Sequence, residues 1–241
     1  MHIHRWAHQV DPMGVTMVSS QLQRLRLFSG IPPENLALLE KAATRRAFRR
    51  GDIVFHKGDP GAALYVIVQG QVKIVLPSET GEEAILAVLD SGDFFGELSL
   101  IDGRPRSATI IATEPTETLV LQRDDLLICI RANPEVAIDL MRVLSERLRD
   151  SDELIQDAVF LDVPARLAKR LLELAESYGT ETPRGIVISL RFTQQELATM
   201  VGATRESVNK HLRAYRARGI IDVERQRIVV KKPADLQRRI Y

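Results

Sequence analysis

The residues best equipped for chemistry lie in one short segment, Gly96-Glu97-Leu98-Ser99-Leu100-Ile101-Asp102-Gly103-Arg104-Pro105-Arg106-Ser107-Ala108-Thr109. Their types suit a small anion that also carries a hydroxyl. Gly96 lets the backbone approach a ligand closely. The amides that follow it, from Glu97 through Leu98 and Ser99, can point at a phosphate. Arg106 offers a charge-assisted fork to the same phosphate, and Ser107 a hydroxyl donor. Glu97 can accept hydrogen bonds from a sugar hydroxyl. The plain alternative is a polar surface turn in which Glu97 and Arg106 pair for no purpose.

A second constellation lies near the end of the chain. Thr193-Gln194-Gln195-Glu196 is a capping box that opens a helix through about Val201. Gly202 makes a turn, and Thr204 caps a second helix, Arg205 to about Arg218. Leu197, Ala198 and Val201 of the first helix and Val208 and Leu212 of the second supply the apolar contacts. His211 stands where an aliphatic residue would be usual. The layout is a helix-turn-helix. Arg205, Glu206, Asn209 and Lys210 share one face of the second helix, whose first turns enter the major groove in such motifs. Arg205 can bond guanine bidentately, Glu206 can accept from a cytosine amine, and Lys210 can reach a guanine or a phosphate. Thr193, Arg213 and Lys231 are weaker phosphate candidates. By itself, the same face also fits an ordinary solvated helix side. Ile221 to Val230 reads as two strands around a polar turn, a wing that adds backbone contacts through Arg225 and Arg227.

Other elements must place these two groups. Ser29 to Glu34 reads as a turn into a short helix, Glu34 to Ala43. From about Phe48 to Gln122, short apolar runs alternate with glycine-marked turns, the pattern of a β-sandwich or barrel-like roll. The anion segment interrupts this series and belongs in a concave connection between strands. A short helix follows, Arg123 to Arg131, and then a long one from Pro134 to Pro164. In it Ala137, Met141, Leu144, Leu148, Ser151, Ile155 and Ala158 recur at spacings of four and three, a heptad seam. Val136, Leu140 and Val143 form a second apolar face. One face packs on the roll and the other meets a second copy, which predicts a parallel homodimer. The alternative is a single helix packed on its own β domain. Pro164 ends the long helix. An amphipathic helix runs from Ala165 to Tyr178, Gly179 to Gly185 is a loop, and Ile186 to Leu190 is a short strand.

The fold class is therefore α+β. The expected domains are a flexible tail (1–20), a β-roll (21–132), a dimerisation helix with its hinge (133–162) and a winged helix-turn-helix (163–241). Charge divides along the same line. Of the 241 residues, those from Val163 to Tyr241 carry 16 Lys+Arg against 8 Asp+Glu, and the rest carry 17 against 24. The basic rear half is the part expected to meet a polyanion, double-stranded DNA. Cys129 is the single cysteine, so an intrachain disulfide and a cysteine-ligated iron–sulfur cluster are excluded. No apolar run approaches the ~20 residues of a membrane span, and the expected location is the cytoplasm. No metal-ligand spacing, Walker glycine loop or nucleophile elbow is present, which weighs against an enzyme acting on nucleotides.

The segment from Phe95 to Ala108 resembles the phosphate-binding cassette of cyclic-nucleotide-binding domains. From about Glu34 to its end the chain resembles the Crp/Fnr family of bacterial transcription regulators, closest to the cyclic-AMP branch. That resemblance implies a cyclic nucleotide effector, most simply cyclic AMP, with no metal, haem or iron–sulfur cluster. It also implies a palindromic operator of TGTGA-type half-sites and RNA polymerase as a partner. Aligning Phe160-Leu161-Asp162-Val163 on the family's hinge places Ser151 where a hydroxyl contacts the adenine. Asp152 stands where a second hydroxyl is common, and Lys210 where the cyclic-AMP branch usually has arginine. A constitutive DNA binder with a vestigial pocket is the competing reading.

Overall fold

The computed structural model describes residues 28, 30–77, 83–190, 193–224 and 227–240. The predicted tail and Arg225 of the predicted wing lie outside them. By their contacts the residues fall into two units, one reaching to Arg147 and the other running from Leu148 onward, with Glu83–Ile85 grouped with the second.

In the first unit, α1 (Pro33–Ala42) leads into β1 (Thr44–Phe48), β2 (Ile53–Phe55), β3 (Ala63–Gln69), β4 (Val72–Pro77), β5 (Glu83–Leu89) and β6 (Phe94–Phe95). Then come α2 (Glu97–Asp102), β7 (Thr109–Ala112), β8 (Thr116–Gln122), α3 (Arg123–Ala132) and the long α4 (Glu135–Phe160), of which the residues from Leu148 onward belong to the second unit. Two four-stranded sheets form, in the orders β1-β8-β3-β6 and β2-β7-β4-β5. β3 pairs antiparallel with β8 and β6, bringing Tyr65 opposite both Val120 and Phe95.

Alternation along these strands divides the core. Ala63, Tyr65, Ile67, Phe95 and Val120 join Val72, Leu89 and Ile110 in one apolar cluster. Leu64, Val66, Phe94, Leu119 and Leu121 join a second cluster with Leu36, Leu39, Leu126, Cys129, Val136 and Leu140 of the helices. The first half of α4 is thus fastened through Val136 and Leu140, as its second apolar face predicts. Leu144, expected in the seam, also packs against this cluster as a partly buried residue. Met141, Leu148 and Ile155 remain 53%, 64% and 63% exposed, and Ser151 and Ala158 are exposed as well.

The second unit contains α5 (Val163–Tyr178), β9 (Gly179–Thr182), β10 (Gly185–Ile188), α6 (Gln194–Met200), α7 (Arg205–Ala217), β11 (Ile221–Glu224), β12 (Arg227–Val230) and α8 (Pro233–Ile240). Its sheet runs β11-β12-β10-β9. Several features differ from the sequence reading. The long helix ends at Phe160, before Pro164, which instead lies in the first turn of α5 behind the cap Asp162. The predicted loop after Tyr178 contains strand β9, whose residues pair with β10 from Thr182↔Gly185 to Gly179↔Ile188. β1 precedes the predicted start of the strands. The chain also closes on an additional helix, α8, which buries Leu236 completely.

Candidate functional site

β6 ends at Phe95, and Gly96 then turns the chain into α2 with φ at 85°. A Cβ on Gly96 would stand 2.6 Å from Arg106 Nη1 and 2.8 Å from the Ala63 carbonyl oxygen. Glycine is therefore required by both backbone conformation and space. The segment predicted as a connection between strands is a connection that includes this short helix. The first amides of a helix have no acceptor within it, so the start of α2 presents free donors. Within the segment, Glu97, Ser99 and Arg106 are buried, whereas Leu98 and Ser107 are exposed.

Two backbone bonds hold Arg106. Its amide donates to the Asp59 carbonyl at 2.9 Å, and its carbonyl accepts from the Gly58 amide at 2.8 Å. Arg106 as a whole is 4% exposed. Its Nη1 donates to the Gly96 carbonyl at 2.9 Å, and Cζ lies 4.2 Å from the centre of the Phe55 ring. The guanidinium forms no ion pair with any described residue. Burial holds its pKa below the ordinary arginine value, while Tyr65, Glu97 and Asp59 act in the opposite direction. An arginine remains charged regardless. The result is a cation withdrawn from water with no counter-charge bonded to it, which suits an anionic ligand.

Glu97 is 4% exposed, and its Oε1 accepts from Arg147 Nη1 at 2.7 Å. Arg147, on α4, also donates through Nη2 to the Phe94 carbonyl and sits over the Phe94 ring at 5.0 Å. The surface-turn alternative, in which Glu97 pairs with Arg106, does not hold: Glu97 pairs with Arg147. Sequence reasoning missed Arg147. One signal was available, because Arg147 lies one helical turn before Ser151, so the two share a face. Ser151 and the adjacent Asp152 are both exposed.

In the second unit the helix-turn-helix forms as its caps predict. The Glu196 amide donates to Thr193 Oγ1 at 3.1 Å, and the Thr193 amide donates back to Glu196 Oε2 at 3.0 Å. Gly202 turns the chain at φ 60°, and the Ser207 amide donates to Thr204 Oγ1 at 3.2 Å. Leu197, Ala198, Val201, Val208 and Leu212 are all buried, and His211 is partly exposed. Arg205, Glu206, Lys210 and Arg213 are exposed. Thr204, Arg205, Glu206 and Asn209 line one open concavity on that face. Asn209 is half-buried, and its Nδ2 donates to Gln194 Oε1 at 2.5 Å. Lys231 is tied to Asp222 at 2.9 Å, and Arg227 is exposed.

One further residue escaped the sequence reading. Arg166, on α5, donates from Nε to the Val201 carbonyl at 2.8 Å, from Nη2 to the Gly202 carbonyl at 3.3 Å and from Nη1 to the Leu161 carbonyl at 2.8 Å. It gathers the end of α6, the turn after it and the residue preceding Asp162. Nothing in its local sequence marks it, because its acceptors are backbone atoms of other segments.

Among the described residues no group of histidine, cysteine, aspartate or glutamate could hold a metal ion, and no helix is long and apolar enough to cross a membrane. Residues 45–133 match the model of the cyclic nucleotide-binding domain, and residues 165–239 that of the Crp-like helix-turn-helix domain. The CRP-like cAMP-activated global transcriptional regulator of Mycobacterium tuberculosis is 38% identical over 218 residues, 90% of this chain and 97% of that one. The cyclic AMP receptor protein of Thermus thermophilus is 35% identical over 211 residues, 88% of this chain and 94% of that one. Among solved structures, the c-di-GMP responsive global regulator CLP of Xanthomonas campestris gives a TM-score of 0.75 at 25% identity, covering 83% of this chain and 99% of that one.

Proposed function

We propose that this chain, which belongs to the Crp/Fnr family of transcription regulators, is a homodimer gated by cyclic AMP. Membership establishes the coarser reading. The chain carries a cyclic-nucleotide-binding domain and a DNA-binding helix-turn-helix, and regulators of this family are not enzymes. The finer reading is carried by one observation, the buried Arg106 whose guanidinium no carboxylate of the described residues claims. A cyclic phosphate supplies the missing charge. Ser107 and the amides of Gly96, Glu97, Leu98 and Ser99 complete its contacts. Glu97, oriented by Arg147, accepts from the ribose 2′-hydroxyl. Ser151 and Asp152 contact the base.

The seam Ala137, Met141, Leu144, Leu148, Ser151, Ile155 and Ala158 joins the two copies, and the exposure of Met141, Leu148 and Ile155 supports this. Effector binding resets the long helices and brings two recognition helices into register on half-sites about 34 Å apart. Arg205, Glu206 and Asn209 then face the bases, Lys210 reaches a guanine or a phosphate, Thr193 and Arg213 are weaker phosphate contacts, and Thr204, which caps the helix, belongs to the same DNA-binding set. The proposed domains keep the boundaries 1–20, 21–132, 133–162 and 163–241. The proposed setting is the cytoplasm, with RNA polymerase as partner.

The effector shifts this equilibrium only by its differential affinity for the two states. Titration of the purified protein with cyclic AMP, cyclic GMP and c-di-GMP is expected to give the tightest binding for cyclic AMP. Cyclic AMP should tighten binding to a palindrome of TGTGA half-sites by roughly tenfold, within the usual range of allosteric coupling. Equal DNA affinity with and without every nucleotide would favour a constitutive binder. A preference for c-di-GMP would reassign the effector.

A further inference from the structure

A buried cation needs compensation, and a carboxylate is the usual source. In an anion site a carboxylate has a drawback, because it claims the same fork of N–H donors that the ligand needs. The surroundings of Arg106 solve this differently. Its Cζ lies 4.2 Å from the centre of the Phe55 ring and 5.7 Å from that of Tyr65. The rings are themselves fixed. Tyr65 stacks on Phe95 at 5.1 Å with 6° between planes, and Phe55 tilts against both at 5.6 and 5.8 Å. On its other flanks, Arg106 is walled by two glycines. A Cβ on Gly61 would stand 2.3 Å from Nε and 2.6 Å from Cζ, and one on Gly96 would stand 2.6 Å from Nη1.

We propose that Phe55 is a positioning residue for the effector. Its ring takes the place of a counter-ion for Arg106 and holds the guanidinium in place without occupying its donors. An aromatic face attracts a desolvated cation through its quadrupole but accepts no bond along the fork. Gly61 leaves the room that this posture needs. Both residues stand far in sequence from the segment that binds the phosphate, so the device depends on how β2 and the stretch after it lie against the start of α2. The inference rests on the reading of Arg106 as the phosphate ligand.

The test is calorimetry with cyclic AMP on the full-length protein and its Phe55→Leu, Phe55→Tyr and Gly61→Ala variants. Apo melting temperature is followed in parallel. Phe55→Met is the second ring-free variant if leucine does not fold. Loss of the ring is expected to weaken cyclic AMP binding about tenfold. Tyrosine should restore it to within about twofold, since the phenol keeps the aromatic face. Gly61→Ala should weaken binding without touching the ring. Competition by adenosine, which lacks the phosphate, should change little in any variant. The inference is overturned if the leucine or methionine variant binds cyclic AMP as the parent does. It is equally overturned if adenosine and cyclic AMP weaken by the same factor, because the ring would then only shape the cavity. A parent protein that binds no cyclic nucleotide would instead overturn the function proposed for the site.

Discussion

Glu97 and Arg147 form the only ion pair among the described residues in which one side chain is as little as 6% exposed, the other being 25% exposed. Removing one partner from such a pair costs more than the pair contributes, because a charge is left dehydrated. Arg147→Met is therefore expected to lower stability by about 2 kcal/mol, less than a fully buried pair would give. The Glu97→Gln, Arg147→Met double variant should recover about half of that loss in urea unfolding, since neither charge then remains. Additive losses would show that the two side chains do not depend on each other. At this scale, legibility in the sequence followed chain proximity. Gly96, Glu97, Arg106 and Ser107 are close neighbours in the chain, so the proposed anion site could be drawn from one segment. Arg147, Phe55 and Gly61 reach the same place from other elements, and only folding brings them there. Arg166 is a stronger case, since what it binds has no side-chain identity at all.

Secondary structure was legible wherever burial imposes a period. β3 and β8 alternate between two apolar clusters, and α4 repeats at heptad spacing, so both were evident. β1, Thr-Arg-Arg-Ala-Phe, is an edge strand with four exposed residues followed by a partly buried one. It has no apolar alternation to detect, and its charges are what such an edge carries to discourage pairing with another chain. β9 is polar along its length, and only its partner β10 makes it a strand. α8 did carry signals: proline in its first position, Asp235 in its first turn, Arg238 and Arg239 in its last. They follow the wing so closely that the sequence reading stopped short of them. For α4 the exposed Leu148 and Ile155 lead to a direct expectation. Burying each in a dimer contributes about 1.5–3 kcal/mol per side chain. Leu148→Lys with Ile155→Lys should therefore give a monomer by sedimentation, with helix content retained by circular dichroism. A dimer of unchanged mass would remove the seam from the account.

At the scale of the whole molecule, the proposed function joins two kinds of anion recognition, and salt should separate them. The proposed DNA face presents exposed cations, Arg205, Lys210 and Arg213, on a basic rear half. Such contacts release counterions, so a dimer making about six phosphate contacts should lose roughly a thousandfold in affinity between 50 and 200 mM salt. Arg106 is shielded from the same screening by its burial. Its cyclic nucleotide affinity is expected to change by less than about threefold over that range. Parallel titrations of fluorescent DNA and of cyclic AMP would measure both slopes. A nucleotide slope as steep as that for DNA would mean that the guanidinium works in open water.

The three carbonyls that converge on Arg166 have a mechanical consequence. Leu161 belongs to the corner where α4 gives way to α5, and Val201 and Gly202 belong to the bend of the DNA-reading pair. Opening that corner means breaking charge-assisted bonds worth about 1.5–3 kcal/mol apiece. The joint is therefore latched rather than loose, and twisting that corner meets a threshold before it turns.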